Sequence, residues 1–571
     1  MKAASENTSS TACSRPEWLE AIAGKGSVLL LAPHGGRAEA TAHASPNPRI
    51  NDLHTAQFTR ELAGRLQASA LINRAMDRNR LDCNRIDQLL ARAPVVLDLL
   101  AEVLEQIVAR QGHALVLLIH GWNVIEPRVD FGLGARVLDE QIRPAGGAFL
   151  SATPRFLANT LAPLCAHLEA IGVSATLGFR YPAGGRHNLL QALTRRYIQS
   201  PEPALRRLAR LTEQGEIQAL QIELSVAVRW PGPRRAQILD LLGRSFSDHH
   251  AALEPKASRY PQGLPLTPPA LARSAHRFGL ECYDAHAGVG IIASFDLDGG
   301  GGARLALLIG TNLWIFTADG AVRTQGDRIS GGPLQLTVGA GELELRFNGP
   351  MLRVDDSRTY MRLEQALAGA YLEPAVGLDC RFRSSSLAPL WQTERSCFGR
   401  LAGALQLGES TLAIQAIGRS GPPLASPLDF DLSRRCALWG ALEDGSASIG
   451  LEVVSVERNG GISASARKIF AQAAIPGVVQ ALTAQPRLPG VPPAVIEGRV
   501  RVGLKEETFA AQPRCFMAMA RPAADGARLC LSVGFASLEL DGAAGIAMFE
   551  CADLVSASAA RPYTPEDEPA D

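Results

Sequence analysis

Residues 31–39 read Leu-Ala-Pro-His-Gly-Gly-Arg-Ala-Glu, which sets the imidazole of His34 and the carboxylate of Glu39 just beyond a short apolar run. An imidazole and a carboxylate so placed read as two protein ligands for a metal ion. A second apolar run, beginning at His113, again ends in His-Gly, at His120-Gly121. Glu223 stands among the apolar residues of Ile217–Leu224. Burying an unpaired carboxylate costs several kcal/mol or forces it to protonate, so Glu223 needs either a partner or a task. The stretch Asn79–Arg85 gathers Asp82, Asn84 and Arg85 within four positions. An arginine held by such neighbours suits bidentate capture of a carboxylate on a substrate.

These groups need elements that hold them in place. Ser27–Ala32 is short, apolar and partly β-branched, as a strand buried on both faces would be. Pro33 and Gly35-Gly36 end it and give the backbone freedom to turn, so His34 projects from the strand's carboxyl end. In open parallel sheets that edge is where ligands bind. Similar runs at Ala70–Asn73, His113–Val124 and Ile217–Leu224 alternate with the amphipathic stretches Ala56–Leu66 and Val95–Ala109. That alternation predicts βαβ units and a mostly parallel sheet.

The second half has a different grammar. Seven Asp-Gly or Asn-Gly dipeptides lie between Asp298 and Gly542 and none in residues 1–270. They favour two-residue hairpin turns and predict an antiparallel all-β region, arranged as two tandem barrels or sandwiches. The expected division is a flexible segment 1–24, an α/β metallohydrolase unit 25–253, a Pro-rich linker 254–272, β units 273–390 and 391–560, and a disordered tail 561–571. Ala464–Thr483 reads as a helical insertion interrupted by Pro476-Gly477.

Composition narrows the function classes. Lys plus Arg and Asp plus Glu each number 57, so no global field favours nucleic acid. No stretch approaches eighteen uninterrupted apolar residues, which predicts no membrane span. Ten scattered cysteines without Cys-x-x-Cys, and a polar N-terminal segment, imply reduced thiols and a cytoplasmic location.

Taken in order, the motifs resemble those of the N-formylglutamate amidohydrolase family and the related poly-γ-glutamate hydrolases, over about residues 25–245. Ala32-Pro33-His34-Gly35-Gly36 with Glu39, Asp82-Cys83-Asn84-Arg85, His120-Gly121, Asp130 with Gly134, Tyr181-Pro182-Ala183-Gly184-Gly185 and Gln221-Ile222-Glu223 carry the resemblance. The chain departs from it at Leu118-Ile119, where the family commonly has Asp before the second His, and at Val226, where it has Arg. The resemblance implies a zinc carboxypeptidase-like fold and one Zn²⁺ held by His34, Glu39 and His120. Three ligands leave the fourth tetrahedral position open for a water whose pKa falls to about 7. It further implies Glu223 as general acid–base group and Asp82, Asn84, Arg85, Gly184, Gly185 and His187 as substrate-binding residues. Hydrolysis of an amide in an N-acyl amino acid or γ-glutamyl substrate with a free carboxylate follows.

Two rival readings stand beside this one. Leu118-Ile119-His120-Gly121-Trp122 also resembles the oxyanion-loop entry of α/β-hydrolases, but no Gly-x-Ser-x-Gly elbow exists in the chain. Alternatively the first unit is a catalytically degenerate scaffold for the β region. Ile291–Asp298, Phe347–Pro350 and Phe398–Gly403 resemble the tandem lipocalin-like domains of carotenoid hydratases, which implies an apolar ligand between sheets.

Overall fold

The computed structural model describes residues 15–37, 49–138, 141–145, 147–247, 277–297, 302–319, 322–339, 341–361, 363–384, 397–421, 434–442, 449–458, 461–470, 473–484, 491–502, 504–522 and 528–555. They fall into two units, the first built from segments up to residue 267 and the second mainly from residue 268 onward.

The four apolar runs expected to be strands, at 27–32, 70–73, 113–124 and 217–224, each contain one, and five further strands join them. In chain order these are β1 (Leu19–Ile22), β2 (Val28–Ala32), β3 (Ser69–Asn73), β4 (Ala114–Trp122), β5 (Arg128–Gly132), β6 (Ala135–Leu138), β7 (Gln141–Pro144), β8 (Ser174–Leu177) and β9 (Ile217–Ser225). Seven of them make one sheet in the order β1-β3-β2-β4-β9-β5-β8, while β6 and β7 pair separately. Four of the six pairings in the large sheet are parallel, and β1–β3 and β5–β9 are antiparallel. Every described residue of β2, β3 and β9 is buried, as continuous apolar runs require when helices cover both faces.

One face packs against Phe58 and Leu62 of helix Thr55–Leu66 and Ile238 and Leu242 of helix Pro233–Ser247. The other packs against Leu97, Leu100 and Leu104 of helix Val95–Gln111 and Leu205 and Leu208 of helix Pro203–Glu213. The helices form because apolar residues recur at three- and four-residue spacing, and Gly112, at φ 77°, ends the longest of them.

Two antiparallel barrels make up the β region. In the first, eight strands close where Asn312–Ala318 pairs with Glu342–Val354. Leu343, Leu345 and Phe347 face inward between Glu344 and Arg346, the period-two alternation of a barrel wall. The second closes when its first strand, Arg434–Leu442, pairs with its last, Ala543–Val555. Leu438, Val453, Phe509 and Phe549 belong to its core.

Three sequence expectations change here. Ala464–Thr483 is not a helical insertion: Gly461–Phe470 and Ala473–Thr483 are adjacent barrel strands. Alanine favours helices, but pairing on both sides of the strands overrides that weak preference. Cys397–Leu407 and Ser410–Gly421, placed in the second β unit by a division at 390/391, complete the first barrel. Finally, Asn348-Gly349 is no hairpin turn but lies at a bulge inside a thirteen-residue strand. Asp541-Gly542 does make the expected turn, with both residues at positive φ (49° and 80°).

Contacts between the barrels are specific. Tyr283 stacks on Phe535 with ring centroids 5.3 Å apart. Buried Glu281 accepts from Arg419 Nη1 at 2.9 Å and from Trp439 Nε1 at 3.0 Å.

Candidate metal centre

Parallel register sets the first part of the site. His120 near the end of β4 is the direct partner of Glu223 on β9, and Glu223 is the partner of Asp130 on β5. Directly paired residues project to the same face, so three titratable groups line up across neighbouring strands. His34, just past the end of β2, joins them: its ring centroid lies 4.8 Å from that of His120.

The group that brings the two imidazoles together is Asp52, three residues before the start of helix Thr55–Leu66. Its Oδ2 lies 3.2 Å from His34 Nδ1 and 3.2 Å from His120 Nδ1, and accepts the Gly121 N–H at 3.0 Å. Arg78 Nη1 donates to its Oδ1 at 3.2 Å. His34, Asp52 and His120 are all buried, and one ligating atom from each lies within 4.8 Å of the others. Among the described residues this is the cluster of three or more His, Cys, Asp or Glu side chains that could hold a metal ion.

The donor set of the cluster fits a cation. Asp82 Oδ1 sits 2.7 Å from His34 Nε2 and Asp52 Oδ2 3.2 Å from His34 Nδ1, so each nitrogen of that ring faces a carboxylate. His120 Nε2 is buried without a hydrogen-bond partner. Two imidazoles and a carboxylate thus meet at a buried point with one imidazole nitrogen unpartnered, a donor set that suits a metal ion. Asp82 on His34 is the carboxylate–imidazole pairing that orients a ligating histidine.

Electrostatics follow from this burial. Loss of solvent pushes the Asp52 carboxyl up, but His34, His120 and Arg78 more than offset it and hold the group well below the usual carboxylate range. Asp82 is likewise pushed up by burial and carried below its ordinary value by His34 and Arg78. Burial lowers both imidazoles; the Asp52 charge reverses that for His34, whereas His120 stays lowered, with the neighbouring His34 and Arg78 adding to the effect. Glu223 is raised well above the usual range, first by burial and then by Asp52 and Asp130. Its Oε1 accepts from Gln221 Nε2 at 2.8 Å.

The glycines have a steric role. A Cβ on Gly121 would stand 2.9 Å from Arg229 Cζ and 3.0 Å from Asp52 Cβ. Arg229 cannot give way easily, because it is fully buried and donates to the carbonyls of Leu53, Trp122 and Leu224. Gly36 likewise leaves no room: a Cβ there would fall 1.9 Å from the Met76 carbonyl oxygen. Neither Gly35 nor Gly36 has positive φ, so close approach, not turn freedom, explains the pair.

The remaining sequence candidates fall in several places. Glu39 lies outside the described residues. Asp82 is buried against His34, and the Oδ1 of Asn84 is buried without a partner. Arg85 makes a bidentate pair with Asp87 at 3.0 and 2.7 Å, in the first turn of the helix Ile86–Arg92 that it precedes. The Gly184-Gly185 loop is tied back to the site through Asn188, which donates to Gln221 at 3.3 Å, and through a bridge between Arg85 and Asn188. His187 is half-buried, and its carbonyl accepts from Ile86 N. Gly184 and Gly185 line a cleft of about 1130 Å³ together with Arg136, Arg186, Arg196 and Tyr197. Asp130 is fully engaged with Thr176 Oγ1 and the N–H groups of Phe179, Arg180 and Tyr181, and so shapes the loop leading to Gly184.

Sequence reasoning missed Asp52 and Arg78. Asp52 carries an ordinary helix-start signal, since its carbonyl accepts from Thr55 Oγ1 at 2.6 Å, and that local role hid the long-range one.

No protein-family model and no curated protein matches the chain. Among solved structures, a Nitrosomonas europaea protein described as AttH is similar at 13% identity over 48% of this chain and 90% of its own (TM-score 0.32). N-formylglutamate amidohydrolase from Ralstonia eutropha JMP134 is similar at 15% identity over 41% and 97% (TM-score 0.28). Kievitone hydratase from Nectria haematococca is similar at 8% identity over 50% and 90% (TM-score 0.29). An N-formylglutamate amidohydrolase and a hydratase are thus among the structures this chain is similar to.

Proposed function

We propose that the α/β unit is a zinc-dependent amidohydrolase acting on an N-acyl amino acid or γ-glutamyl substrate that carries a free carboxylate. The observation that carries this reading is the meeting of His34, Asp52 and His120 at one buried point, with a nitrogen of His120 left unpartnered. Asp52 takes the carboxylate position of the ligand set. When bound, zinc would polarise the scissile carbonyl and bring a water's pKa to about 7.

The chain's own groups supply the rest. Glu223, beside His120 in register and raised by burial, takes up the proton of the attacking water and returns it to the leaving amine. Gln221 fixes the carboxyl through its amide and is itself held by Asn188. Asp82 sets the His34 ring, and Arg78 balances the Asp52 charge. For the substrate's carboxylate, Arg136, Arg186 and Arg196 offer guanidinium groups in a cleft that has no Asp or Glu among the described residues lining it. Arg85 would have to exchange its Asp87 partner to serve the same end.

The test is hydrolysis of a panel of N-acyl amino acids, each paired with its carboxamide. Turnover of the free acids that stops with a chelator, returns with Zn²⁺ and ignores serine-directed reagents supports the reading. Glu223→Gln is expected to lower kcat by about 10²- to 10⁴-fold. Turnover that survives complete metal removal would contradict it.

A further inference from the structure

The second barrel has one joint the chain must close last in sequence: the seam between its first strand, Arg434–Leu442, and its last, Ala543–Val555. Cys436 and Cys551 are direct partners across that seam, with sulfurs 3.7 Å apart. Both are buried and belong to the barrel core, with Leu438 and Phe549. Direct cross-strand partners have Cα atoms about 4.5–5.5 Å apart. That falls inside the range of about 4.4–6.8 Å that disulfides span, so rotation about the side-chain bonds can bring the sulfurs to bonding distance without moving the strands.

We propose that Cys436 and Cys551 form a redox-dependent disulfide that locks the closing seam of the second barrel. The pair is dithiol in a reducing medium and cystine in an oxidising one. With glutathione disulfide as oxidant, one cysteine thiolate attacks a glutathione sulfur, forming a mixed disulfide and expelling one glutathione thiolate. The second cysteine thiolate then attacks the protein sulfur of that mixed disulfide and expels the other. The S–S bond of the oxidant breaks, that of the protein forms, and the two protons of the cysteines end on two glutathione thiols.

Position gives the bond its effect. The partners are 115 residues apart in sequence, so a link between them removes much of the unfolded chain's freedom. Because it joins the first strand to the last, the same bond prevents the barrel from opening at its seam. Both thiols are buried, and the contact with Cys436 and then burial raise the Cys551 thiol well above its ordinary range. Exchange therefore occurs while the barrel is open, during folding or transient opening, and not at the closed surface.

The test uses the full chain, unfolded in urea and refolded in glutathione buffers of defined oxidised-to-reduced ratio, then alkylated and mapped by mass spectrometry under non-reducing conditions. A peptide pair linked through Cys436 and Cys551, two hydrogens lighter than the separate peptides, is expected in the oxidising buffer and absent in the reducing one. Thermal unfolding of the linked protein should shift upward by about 5–10 °C, and the shift should vanish in Cys436→Ala. Recovery of Cys436 and Cys551 as alkylated thiols from correctly refolded protein in the oxidising buffer would overturn the proposal, as would linkage of either to a different cysteine. The mapping is read on the wild-type chain, so it stands even if Cys436→Ala folds poorly.

Discussion

Asp82→Asn offers a sharp probe of the buried centre because it changes a charge and almost no volume. Asp82 Oδ1 lies 2.7 Å from His34 Nε2 and accepts the Asn84 N–H at 3.0 Å. The amide oxygen of asparagine can take the Oδ1 position and keep both contacts, so the loop should retain its shape. What disappears is the negative charge that fixes the tautomer of His34 and strengthens its other nitrogen as a ligand. Removal of such an outer partner typically costs 10- to 100-fold in metal affinity. Since each factor of ten is about 1.4 kcal/mol, the expected loss is roughly 1.4–2.7 kcal/mol of binding free energy. Competition against a chromophoric chelator measures it, with Asp87→Asn as a control, because Asp87 pairs with Arg85 and makes no described contact with either imidazole. Affinity equal to wild type in Asp82→Asn, with the fold intact, would refute the assignment of His34 as a ligand oriented by Asp82.

Other consequences are independent of that result. Gly121→Ala should destabilise the α/β unit by about 1–3 kcal/mol in urea denaturation and weaken metal binding, because the new Cβ meets Arg229 and Asp52 at about 3 Å and neither can retreat. Unchanged stability would show that the His-Gly step has spare room. Arg419→Met should cost the β region about 3–5 kcal/mol by leaving the Glu281 carboxylate buried between the barrels without its cation. A stability within 1 kcal/mol of wild type, checked by the same denaturation, would mean that Trp439 alone satisfies Glu281. His54, half-buried against Trp230, is lowered by that burial and by Arg229 and Arg235 to about 4, below its ordinary 6.5. Its contribution to stability is therefore present above pH 6.5 and lost as pH falls toward 4, where the unfolded chain takes the proton first. His54→Asn, which tolerates the φ of 66° there, should flatten that part of the stability-versus-pH curve; an identical slope would count against it.

How much of this could be seen in the chain beforehand depends on range. Apolar runs such as Val28–Ala32 and Ile217–Ser225 identified themselves as strands because burial on both faces leaves no polar alternation. His34, His120 and Glu223 stood out because each follows or interrupts such a run. Asp52 did not, since its partners lie 18 and 68 residues away and its local surroundings look like any helix start. Arg85 shows the opposite situation: its sequence neighbours suggest a substrate clamp, and in the structure Asp87, two residues on, pairs with its guanidinium. In the β region the Asp-Gly signal located the Asp541 turn, whereas Asn348-Gly349 is absorbed into a bulge, because strand pairing on both sides outweighs the local turn preference. The helix expected over Ala464–Thr483 failed similarly, since alanine's preference is a few tenths of a kcal/mol per residue against two rows of ladder hydrogen bonds.

The most direct test of the central claim is zinc stoichiometry, by elemental analysis, in wild type, His120→Ala and Asp52→Asn prepared side by side and shown to be folded. The account predicts close to one ion per chain in wild type and most of it lost in both variants. Folded wild-type protein that takes up no divalent ion, or variants that keep it undiminished, would contradict the metal centre and with it the hydrolase reading.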